Sequence, residues 1–323
     1  MSFPLPRGTS ALLVLSLACT SAAAQSLLSQ YGEVIMAVGS DVPGLPGVTI
    51  NSAANFDGPI IDQNGTVLFR ARMVGGGVSA SDDRAYFMGR NSADLRVVLR
   101  SGDQAPGLAP GILMRTATGT GPTGSPRISP FGEILFFSSS LYDGAVTVTA
   151  ANDTALFWGP PSALTVLARE GDPVIVSGVA PGYTYGSQSF SLQNNVINAS
   201  GIALFSTQLL GAPADSDAVM IAGTPSGLLK VFQEGDVMGG AVVIPVSGTT
   251  TMSFINQINE AGWVLHEVRF STTTGTATIA DDRALAIWTP GSGDVLIARE
   301  GQQAPGLAAG INFATPASSW TVD

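Results

Sequence analysis

Residue types able to carry chemistry are few in this chain. His266 is the one histidine among 323 residues, and Cys19 is the one cysteine. A nucleophilic triad would have to recruit His266, and no serine nucleophile-elbow motif accompanies it. Its place in the sequence is that of Phe69, Phe136 and Phe205 in a repeated motif, so it reads as a substitute for a core aromatic. Zinc sites want several histidine or cysteine ligands, which are missing here. Carboxylates remain, and two at a fixed separation are enough for glycoside hydrolysis. Asp103, Asp172 and Asp236 recur at equivalent places, as do Asp83, Asp153 and Asp282. Recurrence argues for turn chemistry, because an active site is normally unique within an array. The clusters Asp82-Asp83, Asp215-Ser216-Asp217 and Asp281-Asp282 offer oxygen ligands for Ca²⁺, but none has the spacing of a calcium loop, and a solvated loop is the simpler reading. Trp158, Trp263, Trp288 and Trp320 are candidates for a sugar-binding face. Trp158 and Trp288 fall in equivalent or near-equivalent strand positions, which reads as core packing. With no glycine-rich phosphate loop leading into a helix either, no catalytic, metal or cofactor residue is assigned.

The elements that would position these groups are repeats. A glycine-acidic loop reads Gly39-Ser40-Asp41, Gly102-Asp103, Gly171-Asp172, Gly235-Asp236 and Gly301-Gln302, with leading glycines 63, 69, 64 and 66 residues apart. An aliphatic, β-branched run precedes the last four copies, as in Leu95–Arg100 and Leu164–Arg169, and reads as a strand ending in a turn. A second motif has a polar residue, two spacers, a glycine and an apolar strand. Its copies start at Asp62 with Gly65, Ser129 with Gly132, Asn198 with Gly201 and Asn259 with Gly262. Here the polar side chain closes the turn locally and glycine enters left-handed space. A third element recurs around Ala85, Ala155, Ala218 and Ala284. Each period thus holds about four strands, the content of one propeller blade. No sustained helical period runs through the chain after its first residues.

Composition agrees. Glycine (39) and proline (20) are abundant and only 12% of residues are charged, which suits short strands and tight turns, while 45% hydrophobic content argues against disorder. The formal charge is −10 and Lys230 is the single lysine, so no basic patch exists to neutralise nucleic-acid phosphates. Arg7, the apolar stretch Ala11–Ala18 and Ala22-Ala23-Ala24 form a secretory signal with cleavage near Ala24. The apolar stretch is too short to span a bilayer, and no membrane span is expected in the mature chain. Cleavage removes Arg7 and no acid, leaving 13 Lys+Arg against 24 Asp+Glu. It also removes Cys19, so stability in an oxidising compartment must come from sheet packing. Lipidation of Cys19 is the alternative, although Ser16-Leu17-Ala18 is a poor approach to a lipidated cysteine.

On the second motif, clearest at Asn198-Ala199-Ser200-Gly201-Ile202-Ala203-Leu204-Phe205, the chain resembles the bacterial tandem-repeat family named for its Asn-x-x-Gly-x-x-Ala-Phe signature, whose members are exported and carry varied C-terminal anchors. Asn259 and Gly262 fit the signature also, while Asp62 and Ser129 replace the asparagine and His266 the phenylalanine. The resemblance covers most of residues 33–310. It implies export and a surface or extracellular repeat domain, with no defined reaction. No anchor precedes Asp323, so the expectation is either a truncated product or an array in which C-terminal strands pair with a strand around Glu33–Val38 to close a ring.

The expected fold is all-β, made of tandem four-stranded units of about 66 residues over 25–323, as a propeller of about five blades or, alternatively, an open stack. The expected function is that of a secreted or cell-envelope binding or scaffold module, with carbohydrate or another surface component as partner. The alternative is a polysaccharide-active enzyme with two carboxylates in a propeller channel.

Overall fold

A computed structural model describes residues 33–51, 57–114, 126–138, 141–143, 147–186, 195–246, 252 and 256–314. The expected secretory signal, Cys19, Trp320 and Asp323 lie outside them. The described residues contain strands, turns and irregular segments and no helix, so none is long and apolar enough to cross a membrane. Two compact units divide the chain: Met1–Gln104 with Leu113–Pro122, and Ala105–Ile112 with Thr123–Asp323.

The first unit holds β1 (Val48–Ile50), β2 (Asp57–Ile61), β3 (Val67–Gly75), β4 (Arg84–Gly89) and β5 (Arg96–Arg100), with β6 (Leu113–Met114). Strands β1 to β5 form one antiparallel sheet in the order β1-β3-β4-β5, with β2 also on β3. In the second unit come β7 (Arg127–Ile128), β8 (Ile134–Ser138), β9 (Leu141–Tyr142), β10 (Ala155–Gly159) and β11 (Thr165–Arg169), ordered β11-β10-β8-β7. Next are β12 (Thr184–Tyr185), β13 (Val196–Ile197), β14 (Ala203–Leu210), β15 (Ala218–Thr224) and β16 (Gly227–Gln233), ordered β12-β14-β15-β16 with β13 on β14. The last sheet has β17 (Val237–Met238), β18 (Ala241–Ile244), β19 (Asn256–Ile258), β20 (Val264–Gly275), β21 (Arg283–Thr289) and β22 (Gly293–Arg299), ordered β17-β18-β20-β21-β22 with β19 on β20.

The four sheets repeat one plan. The strand before each glycine-acidic loop (β5, β11, β16, β22) pairs with the strand of the third element (β4, β10, β15, β21), and that strand pairs with the one after the polar-x-x-Gly turn (β3, β8, β14, β20). The third-element strands β4, β10 and β15 are buried almost throughout, as strands packed on both faces must be, whereas β21 alternates buried and half-buried residues. A β-bulge recurs where Val98, Leu167, Val231 and Ile297 are passed over in the outer ladder. Each bulge sharpens the twist of an outer strand, which blunts it as a template for stray pairing. Glu33–Val38 is not a strand, contrary to expectation. Glu33 instead accepts hydrogen bonds from the Ser92 amide (3.1 Å) and hydroxyl (2.9 Å), and the Ala37 amide bonds Ser40 Oγ, so that segment's polar groups are spent on turns.

Candidate ligand-binding face

The polar-x-x-Gly turns share one geometry. Asp62 Oδ1 accepts from the amides of Asn64 and Thr66, both at 2.8 Å. Asn259 Oδ1 accepts from Ala261 (3.0 Å) and Trp263 (2.9 Å), and Ser129 Oγ accepts from Phe131 and Glu133. Asn198 Oδ1 accepts from Ile202 at 2.8 Å. Gly65, Gly132, Gly201 and Gly262 sit at φ between 75° and 88°, which only glycine enters cheaply.

In the second unit these turns lie side by side. Asn198 Nδ2 donates to Asn259 O at 2.7 Å, Ala199 N and Ser200 Oγ each bond Glu260 at 3.3 Å, and Trp158 Nε1 donates to Gly201 O at 2.6 Å. The row carries two outward aromatics, Phe131 at 74% and Trp263 at 49% exposure. Between the turn at Gly262 and the hairpin of β15 and β16 opens an apolar cleft of about 220 Å³, lined by Ile202, Leu229, Pro290 and Trp288, which is buried. Trp158 and Trp288 are not equivalent. Trp158 opposes Leu135, whereas Trp288 opposes Val264 and so occupies the place of Gly89, Gly159 and Gly223, which oppose Val67, Ile134 and Ala203. One residue of offset sends the two indoles to opposite faces of their sheets.

The glycine-acidic loops close hairpins. The amides of Gly102, Gly171, Gly235 and Gly301 donate to the carbonyls of Met114, Tyr185, Val243 and Phe313, and the amides of those four residues return bonds to the carbonyls of Asp103, Asp172, Asp236 and Gln302. Asp236 also holds Lys230 Nζ at 2.9 Å. Each acid therefore stands in a turn, as its recurrence implies. The acidic clusters face guanidinium groups or amides: Asp83 binds Arg72, Asp82 binds Arg100 at 2.6 Å, Asp281 binds Arg299 at 2.9 Å, and Asp217 accepts from Gln208 at 2.8 Å.

Two features escaped the sequence reading. Arg100, Arg169, Gln233 and Arg299, each two residues before the leading glycine, reach back to the carbonyls of Asp82, Asn152, Ser216 and Asp281 and so tie the outer strand to the loop before the third element. Their fixed offset from the glycine was the available signal. His266 does more than replace a phenylalanine. It is fully buried, stacks on Phe232 (centroids 4.4 Å apart) and directs Nε2 to Asp294 Oδ1 at 2.7 Å, while buried Nδ1 has no hydrogen-bond partner. Asp294 lies 28 residues further on and in no repeated motif, so nothing in the sequence pointed to it.

Buried acids occupy repeat-equivalent places: Asp83 with Asp282, and Glu170 with Glu300. Glu267 is the exception, and it faces Arg283 Nη1 at 3.3 Å. Burial raises the pKa of Glu234, Glu267 and Glu300, with Asp217 adding to the first and Asp282 to the last. Asp94 and Asp281 are lowered, chiefly by the amides of Asn91 and Thr278. Raised acids stabilise the fold at low pH and lose that contribution as pH climbs through their folded values; lowered acids lose theirs as pH drops below the ordinary aspartate value. The melting temperature should therefore rise as pH falls from neutral toward 4.5, the ordinary glutamate value, and drop below 3.8, that of aspartate. Scanning calorimetry across this range checks it, and a flat curve between neutrality and 4.5 would refute it.

No curated protein sequence matches the chain. A family model does, over residues 8–321, and by that match the chain belongs to the family of unknown function DUF7453.

Proposed function

We propose that this chain is an exported, non-catalytic repeat protein that acts at the cell surface or outside the cell as a binding or scaffold module, with carbohydrate as its ligand. The observation that carries the reading is the exposed Trp263, on the same turn as Gly262, which lines an apolar cleft with Trp288. An exposed flat aromatic offers a face to the C–H side of a sugar ring, and the Glu260 carboxylate and carbonyls of the same turn offer hydrogen-bond acceptors to its hydroxyls. The secretory signal and the resemblance to exported tandem-repeat proteins support the location. The recurring four-stranded plan supports a propeller of about five blades, with an open stack as the alternative. A polysaccharide-active enzyme would want a non-repeating carboxylate pair. Among the described residues the one non-repeating buried acid, Glu267, is held by Arg283, which gives that alternative no support.

A glycan array probed with the mature protein tests the reading. Binding to a defined glycan class is expected, and Trp263→Ala should weaken it at least about tenfold, as loss of one stacking contact does, with the melting temperature unchanged. An array without a hit would sink the carbohydrate assignment.

A further inference from the structure

Four of the five glycine-acidic hairpins do not end in solvent. Each is laid on the sheet that follows it. In the first unit β1, the second arm of the Gly39–Ile50 hairpin, pairs with β3, and Leu45 at the tip shares a core cluster with Val97 of β5. In the second unit β12 pairs with β14, and the tip residue Ser177 exchanges hydrogen bonds of 2.9 Å with Leu228 and Lys230 of β16. Likewise β18 pairs with β20, and Gly239 at the tip lies on Leu296 and accepts from Arg299 Nη1 at 3.3 Å. The tip Ala105–Ile112 belongs to the second unit, where Gly107 lies against Thr165 and Val166 of β11. In all four cases the tip ends on the outer strand of the following sheet.

A fifth hairpin, Gly301–Phe313, is folded in the same way: Ala304 N bonds Ile311 O at 2.9 Å, as Ala105 N bonds Ile112 O at 2.8 Å. Its sequence, Ala304-Pro-Gly-Leu-Ala-Ala-Gly-Ile311, differs from Ala105-Pro-Gly-Leu-Ala-Pro-Gly-Ile112 at one position. Yet Ile112 is 7% exposed, whereas Ile311 is 49% and Leu307 57% exposed. The same apolar tip is thus covered in one copy and bare in the other. Leu307 and Ile311 stand on one ordered hairpin, and grouped exposed aliphatics, unlike single ones, mark interaction surfaces.

We infer that the Gly301–Phe313 hairpin is a docking surface for another polypeptide built of the same four-stranded units. The partner should present an outer strand of aliphatic and β-branched residues ending in arginine, as β5, β11 and β22 do at Arg100, Arg169 and Arg299. The four covered hairpins identify that occupant. A second copy of this chain fits less well, because its own hairpins already lie on β5, β11, β16 and β22.

Thiol labelling tests this directly, since the chain expressed from Gln25 contains no cysteine. Ile311→Cys should label at least about tenfold faster than Ile112→Cys, as an open site does against a protected one, and Leu307→Cys faster than the half-buried Leu108→Cys. Labelling of Leu307→Cys should not slow as protein concentration rises. Slowing with concentration would assign the surface to a second copy and overturn the inference. Appending a duplicate of residues 126–186 after Ala314 supplies a partner unit at high effective concentration. It should slow Leu307→Cys to the rate of Leu108→Cys and give exchange-protected amides in the duplicate. An appended unit that leaves the thiol fast, or that stays exchange-labile for want of a neighbour to fold on, overturns the inference as well. Leu307→Ser with Ile311→Ser should leave the melting temperature of the unextended chain unchanged, whereas Leu108→Ser with Ile112→Ser should lower it.

Discussion

Replacing His266 by alanine is expected to cost about 3–4 kcal/mol of unfolding free energy, while replacing it by phenylalanine should change stability by less than about 1.5 kcal/mol. The asymmetry follows from the ring's surroundings. His266 opposes Ala286 across the ladder, where Phe69 and Phe136 oppose and stack on Phe87 and Phe157 at 5.5 and 5.8 Å. With a small residue opposite, the His266 ring fills the space and lies on Phe232 of the neighbouring sheet. Alanine empties that space. Phenylalanine keeps the ring-on-ring contact and removes the buried, unpartnered Nδ1. What phenylalanine gives up is the bond to Asp294, whose side chain retains some access to water and can be resolvated, so its loss costs about 1 kcal/mol. Urea denaturation of both variants decides the matter. If phenylalanine proved as damaging as alanine, the His266–Asp294 bond and not the packing would be what the site requires.

His266 also shows what a sequence reveals here and what it withholds. Its register against Phe69, Phe136 and Phe205 placed it on a buried strand face, and there it lies. The polar-x-x-Gly turns were legible for the same reason: Asp62, Asn259 and Gly262 act within five residues, and local hydrogen bonding is written in local spacing. Partners brought together by the ladder were not legible. Asp294 reaches His266 only because β22 lies beside β21, and the recurrent bulges at Val98, Leu167, Val231 and Ile297 leave no compositional mark. Trp158 and Trp288 are the sharpest case. Both sit near the end of a third-element strand, but a difference of one residue reverses the face, so similar spacing concealed opposite roles. The cleft arises from that reversal, since an indole stands where the other three sheets have glycine.

The opposite wall of the cleft gives the second large expected effect. Gly223 has φ of 150°, and a Cβ added there would press into the Gly227 carbonyl and lie 3.0 Å from Leu228 Cα. Both are backbone atoms of the paired strand and cannot swing away as a side chain would. Gly223→Ala should therefore destabilise the chain by about 3 kcal/mol, from overpacking joined to backbone strain. Gly227, four residues on in the same hairpin, has nothing within 4 Å of its would-be Cβ and no left-handed φ. Gly227→Ala should fall within about 0.5 kcal/mol of the parent, as exposed substitutions do. The pair separates two reasons for glycine in one turn: close approach of backbones at Gly223, and room at the cleft edge at Gly227. Since both residues line the cleft, the stable Gly227→Ala protein can also be put on the glycan array. If ligand occupies the cleft, the added methyl should weaken binding without altering the fold, and unchanged binding would place the ligand on the exposed Trp263 face alone.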